Sequence, residues 1–144
     1  GQRGLPSFLV NLVGLNSGLT IAQYTSAALV NENKVFSTPA SVDTIPTCQL
    51  QEDHVSMGGT SAYKLCRIVE NSEYVQAIEL LTAAQAIDFN ENLRLSPTTR
   101  EIHSDFRRHV PFLEEDRVVG DDIEQSLTFF RSHKAEWTTN LDLE

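Results

Sequence analysis

From Val55 to Glu91 the chain runs without a proline, and its apolar residues recur at three- and four-residue spacing: Ala62, Leu65, Cys66 and Val69, then Val75, Ile78, Leu81, Ala84 and Phe89. That period marks an amphipathic α-helix. Ala77, Leu80 and Ile87 widen the stripe. One helix of about 35 residues would be about 50 Å long at 1.5 Å per residue, longer than a domain of this size is wide. Such a rod buries its face against other long helices, so the sequence predicts partners elsewhere in the protein or in neighbouring subunits. Asn71 and Ser72 are where the rod can break, because either residue type caps a second helix.

The flanking segments read as shorter helices. Asn16 and Ser17 are N-cap candidates for a helix from Leu19 to about Phe36 carrying Ile21, Ala22, Ala28, Leu29 and Val30, with Lys34 suitably signed for its carbonyl end. Asn31, Glu32 and Asn33 form either a solvated last turn or a buried polar network. Ser96 and Pro97 open a helix from Thr98 to about His109, which Pro111 stops. Asp121 or Asp122 caps a last helix through Ile123, Leu127, Phe130 and Trp137, and the end Asp142-Leu-Glu144 reads as frayed. The fold class is mainly α, a long-helix bundle. It divides into an arm (1–18), long helices with a connector at 37–54 (19–91), and short helices with a tail (92–144).

Charge and cysteine usage exclude some roles. With 20 acidic against 11 basic residues the formal net charge is -9, which repels phosphate backbones and anionic lipid, so neither nucleic acid nor a membrane is expected as a partner. No apolar run approaches the roughly 18 residues of a membrane span. Two cysteines, Cys48 and Cys66, are too few for a disulfide framework and point to a reducing compartment, the cytoplasm. The start Gly1-Gln-Arg-Gly-Leu-Pro has no signal-peptide pattern and reads as a processed end or a cleavage product.

The connector carries the candidate chemistry. Pro39 and Pro46 hold the chain extended between helices, and Gln49, Gln51, Glu52, Asp53 and His54 follow before the rod. Loops between rigid elements are where such groups act on ligands. By residue type alone, Glu52 and Asp53 are helix-start acids favoured by the dipole, Gln51 is a capping amide, and His54 is a structural histidine one turn into the rod. Functionally, Glu52 is the candidate acid or base, Gln51 can donate and accept toward a substrate, and a histidine changes charge near neutral pH. Gly58-Gly59-Thr60 lacks the lysine of a phosphate loop and reads as a close helix contact or kink. No histidine has zinc-ligand spacing, and no Gly-x-Ser-x-Gly occurs.

Several ordered motifs carry a resemblance. They are Gly4-Leu-Pro-Ser-Phe-Leu-Val10, Leu15-Asn-Ser-Gly18, Ile21-Ala-Gln23, Ala28-Leu-Val-Asn-Glu-Asn-Lys34, Thr38-Pro-Ala-Ser-Val-Asp-Thr-Ile-Pro-Thr47 and Gln51-Glu-Asp-His-Val-Ser-Met57. Ala77-Ile-Glu-Leu-Leu81, Ala84-Gln-Ala-Ile-Asp88, His109-Val-Pro111, Glu115-Asp-Arg117 and Asp122-Ile-Glu124 continue the series. Together they resemble the C-terminal part of the histidine ammonia-lyases and related aromatic amino acid lyases and aminomutases, with their all-helical, fumarase/aspartase-like architecture. The resemblance implies elimination of ammonia from L-histidine to give urocanate, by a homotetramer whose active sites draw on more than one subunit. It implies a catalytic Glu52, with Gln51 and His54 beside the substrate. Thr20 stands where these lyases commonly carry Met and would line the substrate pocket; as an ordinary residue it is a core threonine. The electrophile of the family, methylidene-imidazolone, forms from an Ala-Ser-Gly tripeptide that this sequence lacks, so the chain alone is expected to be inactive and to need the N-terminal part of the enzyme. The rival readings are a tyrosine or phenylalanine lyase or aminomutase, and a catalytically empty helical assembly module.

Overall fold

The computed structural model describes residues 4–90 and 92–139, with the side chains of 134–139 outside that description. The readings on Glu91, on the Trp137 side chain and on Asp142-Leu-Glu144 therefore lie outside that description. Four helices follow one another: α1 (Thr20–Phe36), α2 (Gly58–Asp88), α3 (Pro97–His109) and α4 (Val119–Thr139), preceded by a short 3-10 turn at Ser7–Leu9. No strand occurs among the described residues, and no described helix is long and apolar enough to cross a membrane.

The rod is real and unbroken. At 31 residues α2 is about 46 Å long, and the two residues able to break it serve it instead. The Ser72 hydroxyl donates to Ile68 O at 2.7 Å, the back-bonding that a mid-helix serine makes. Asn71, 3% exposed, donates to Glu32 Oε2 at 2.6 Å and to Asn33 Oδ1 at 3.0 Å on α1. These bonds tie α1 and α2 into an antiparallel pair and make the polar end of α1 a network with α2.

Burial is uneven along α2. Its buried residues are Asn71 near the middle and Ala77, Ile78, Leu81, Ala84 and Gln85 in the C-terminal part. There they meet Leu19 and Ala22 of the α1 end, Phe106 of α3, Val110 and Leu113 beyond it, and Ile123 and Phe129 of α4. Phe129, rather than Phe130, takes the deep place on α4, edge-on to Phe106 at 5.4 Å between centroids. Further toward its N-terminus α2 keeps α1 as its neighbour, through Ser72 with Asn33 and Lys64 with Thr38 O, while Tyr63, Leu65 and Val69 are 51–66% exposed, Leu65 and Val69 on the side turned away from the buried residues. The chain thus supplies a core cluster for the C-terminal half of its rod and leaves apolar side chains uncovered along the rest.

Two polar hubs lock the packed half. Gln85, 1% exposed, donates from Nε2 to Leu9 O at 3.0 Å and Leu113 O at 2.9 Å, while its Oε1 accepts from Leu113 N at 3.1 Å and Arg107 at 3.2 Å. Arg107 also donates to Asp88 Oδ2 at 2.7 Å, and burial draws its pKa down against the pull of that carboxylate. Tyr74 of α2 donates to Glu124 of α4 at 2.9 Å.

Helix starts depart from the local reading. α3 begins as expected, with the Ser96 side chain accepting from Thr99 N and Pro97 in the first turn. α1 has no side-chain cap from its own N-cap residue, Leu19, so Asn16 and Ser17 are not its caps. α2 begins at Gly58 with no acid in its first turn; Glu52, Asp53 and His54 lie upstream of it in the connector, which corrects their assignment to the helix start. α4 begins at Val119, placing Asp121 and Asp122 in its first turn, and Asp122 is drawn back to Arg117 Nε at 2.9 Å. Gly58 and Gly59 make no close helix contact: a Cβ on Gly59 would meet nothing within 4 Å and one on Gly58 only Ser56 Oγ at 3.5 Å.

Candidate active site

The connector folds on itself. Thr47 N–H donates to Glu52 O at 2.9 Å and Glu52 N–H returns to Thr47 O at 3.3 Å. The turn between them holds Cys48, Gln49 and Leu50 at φ of 51°, 54° and 68°. Three successive non-glycine residues in the left-handed region are costly, on the order of 1 kcal/mol or more each, and such strain clusters at functional sites. The Thr47 hydroxyl donates to Glu52 Oε2 at 3.0 Å, so the carboxylate is oriented by one oxygen. The Cys48 thiol stands 3.9 Å from Gln51 Oε1. Farther along, Val55 N–H donates to Thr44 Oγ1 at 3.1 Å, closing a second loop around Pro46. Gln51, Glu52, Asp53 and His54 are all exposed at this tip.

Thr20 lies elsewhere. It is the first residue of α1, half-buried, and its hydroxyl donates to Ser17 O at 2.6 Å. With Phe8, Leu9, Leu19, Gln23 and Val75 it lines a mainly apolar groove of about 640 Å³ that no connector residue reaches. The connector leaves from the last turn of α1, about 25 Å away along the helix. The structure therefore brings Gln51, Glu52 and His54 onto one loop and leaves Thr20 at the opposite end of the helix that carries it.

Local sequence reading did not single out the residues that build the Thr20 end. Gly18 is buried at φ +54°, and a Cβ there would overlap Phe8 O and stand 2.8 Å from two atoms of Val10. Asp116 accepts from Ser17 N and Gly18 N, both at 2.8 Å. The pairing of Leu15-Asn-Ser-Gly18 with Glu115-Asp-Arg117 was present in the sequence as two motifs, with nothing in either to say that they meet.

The architecture is a long helical rod with a strained polar connector. The family model described as aromatic amino acid lyase matches residues 1–108, and the chain belongs to that family. It is 55% identical over 121 residues to the histidine ammonia-lyase of Anaeromyxobacter sp. (strain K) and 53% identical over 121 residues to that of Symbiobacterium thermophilum, covering 84% of this chain and 24% of each relative. Among solved structures, histidine ammonia-lyase from Trypanosoma cruzi superposes with a TM-score of 0.86 at 51% identity, over 94% of this chain and 26% of that one. Tyrosine aminomutase from Streptomyces globisporus gives 0.83 at 39%, over 98% and 28%. Ergothionase from Treponema denticola gives 0.81 at 32%, over 90% and 26%. The chain spans about a quarter of the length of the proteins it matches.

Proposed function

We propose that this chain is the C-terminal quarter of a cytoplasmic lyase that eliminates ammonia from L-histidine to give urocanate. The observation that carries the substrate is the order of identities among proteins of one fold: 51% to a histidine ammonia-lyase, 39% to a tyrosine aminomutase and 32% to an ergothionase. Glu52 is the catalytic carboxylate of this reading, and Gln51 and His54 contact the substrate from the same loop. The Thr47 hydroxyl occupies Glu52 Oε2, and among the described residues no bond is recorded to Oε1, which leaves it for an amine or a proton in transit.

Methylidene-imidazolone would supply the electrophile of such an elimination. The sequence contains no Ala-Ser-Gly, so the residues present do not fit as its source and the group would come from the remaining three quarters of the enzyme. A homotetramer is part of the same reading. The exposed Tyr63, Leu65 and Val69 of α2 call for helical cover, and Thr20, about 25 Å from the connector's root along α1, joins a site with Glu52 only where a neighbouring copy brings one of them to the other.

The test is a substrate panel on the complete protein that contains this chain, scoring L-histidine, L-tyrosine and L-phenylalanine by ultraviolet absorbance of the conjugated acid and by ammonia release. L-Histidine should be preferred in kcat/KM by about ten-thousandfold, the scale at which a polar pocket rejects a ligand that leaves its groups unpaired. Equal or faster turnover of tyrosine, or a β-amino acid product, would move the protein to the aminomutase or tyrosine-lyase branch. A complete protein that binds none of them and releases no ammonia would favour the assembly module.

A further inference from the structure

The turn that leads into α1 is held from a distant part of the chain. The residue preceding the helix, Leu19, offers no side-chain acceptor. Asp116, on the loop between α3 and α4, instead holds the turn before it: Oδ2 accepts from Ser17 N and Oδ1 from Gly18 N, both at 2.8 Å, and its own N–H donates to Asn16 Oδ1 at 3.2 Å. Two backbone donors on one carboxylate orient a turn as well as a fork would. Gly18 at φ +54° lets the turn approach Phe8, and Leu19 N–H donates to Phe8 O at 2.9 Å. The arm residues Phe8 and Leu9, themselves at φ 59° and 52°, are thereby held beside α1.

We infer that Asp116 is a positioning residue for Thr20 and the groove it lines. The route is short. Asp116 fixes Ser17 through its N–H, and Ser17 O receives the Thr20 hydroxyl at 2.6 Å. That bond fixes the Thr20 rotamer and sets which of its atoms face the groove shared with Phe8, Leu9 and Gln23. Releasing the turn frees Thr20 to rotate and the arm to shift, while leaving the connector, at the other end of α1, in place. The inference rests on the reading that Thr20 faces the substrate. It assigns Asp116 a part in substrate affinity, separate from the Glu52 loop.

The experiment uses the complete enzyme with Asp116→Asn, Asp116→Ala, Thr20→Ala and the double variant Asp116→Asn/Thr20→Ala. Asp116→Asn, which keeps one acceptor oxygen, should raise KM for histidine about fivefold, and Asp116→Ala about tenfold or more, with kcat within about threefold of wild type. In the double variant the Asn substitution should add nothing to the KM of Thr20→Ala, because the two residues act through one bond chain. Wild-type KM in both Asp116 variants, additive KM effects in the double variant, or loss of folding in both single Asp116 variants would each overturn the assignment, the last by making Asp116 a residue of the fold alone. A wild-type enzyme that does not turn over histidine would instead remove the function proposed above, so the two failures are distinguishable.

Discussion

Replacing Gly18 by alanine is the sharpest perturbation of the Thr20 end. The methyl group meets three penalties. The first is backbone: φ of +54° lies in the left-handed region, which costs an L-residue about 1–2 kcal/mol. Overlap is the second, because the new Cβ would intrude on Phe8 O and lie 2.8 Å from Val10 Cβ and Cγ1. Val10 is fully buried, so it cannot swing into solvent, and overpacking of this kind costs about 1–3 kcal/mol. The third is the Leu19 N–H to Phe8 O bond of 2.9 Å, lost if Phe8 moves aside, worth about 1 kcal/mol. The combined loss is about 3–6 kcal/mol, in the range reserved for a named structural fault. Thermal unfolding of the complete protein is the assay, with Gly59→Ala as an internal control. A Cβ at Gly59, in the first turn of α2, meets nothing within 4 Å, so that substitution should be neutral or stabilise by about 0.4–1 kcal/mol. The predicted order of melting temperatures is Gly59→Ala at or above wild type, and Gly18→Ala several degrees below both. A Gly18→Ala protein melting with wild type would refute the steric argument and the φ assignment with it.

Two further outcomes follow from the packed half of the rod. Gln85→Leu keeps the volume but strips partners from Leu9 O, both backbone groups of Leu113 and Arg107; with about 1–3 kcal/mol for each buried group left unpaired, melting should fall by more than for a surface Gln→Leu change, and equal melting temperatures would contradict the hub. Tyr74 has its pKa raised above 10.0, first by its hydrogen bond to Glu124 and then by burial. A raised pKa means the folded state favours the protonated phenol, so this stabilisation is complete below pH 10 and is lost as pH climbs through the elevated value. Tyr74→Phe should therefore flatten the alkaline fall of stability between pH 10 and higher values, and an unchanged slope would sink the pairing.

How much could be read from the sequence depended on the range of the interaction. The rod was legible because periodicity is a property of neighbouring turns, and α3 because Ser96 and Pro97 act within their own first turn. The ambiguity at Asn71 and Ser72 was resolved by partners on another helix: Asn71 found Glu32 and Asn33, and capping was never required. The start of α1 was misread for the same reason in reverse, since the turn before it is held by a carboxylate 98 residues away from Gly18. The connector shows an intermediate case. Its prolines and polar residues marked it as a connector between helices and a candidate site, yet the Thr47–Glu52 bridge keeps Glu52 out of α2, and no propensity scale places Cys48, Gln49 and Leu50 in a left-handed run.

Exposed apolar side chains on α2 link fold to function. Tyr63, Leu65 and Val69 are more than half exposed, and at about 25 cal/mol per Å² of apolar surface their cover by other helices is a driving force for assembly. Melting of residues 1–144 alone should accordingly be broader and lower than melting of the complete protein, whereas a sharp, independent transition would support the assembly module.

The central claim is that this chain brings its connector to the reaction, Glu52 foremost. The direct measurement is histidine turnover by the complete protein carrying Glu52→Gln. The amide keeps an oxygen for the Thr47 hydroxyl, which now donates to Glu52 Oε2 at 3.0 Å, so the hairpin should survive while the charge and the capacity to carry a proton are lost. The account predicts a fall in kcat of about a hundredfold or more, the usual worth of a positioned acid or base, with melting temperature and oligomeric state unchanged. Turnover within about twofold of wild type would contradict it and remove Glu52 from the mechanism.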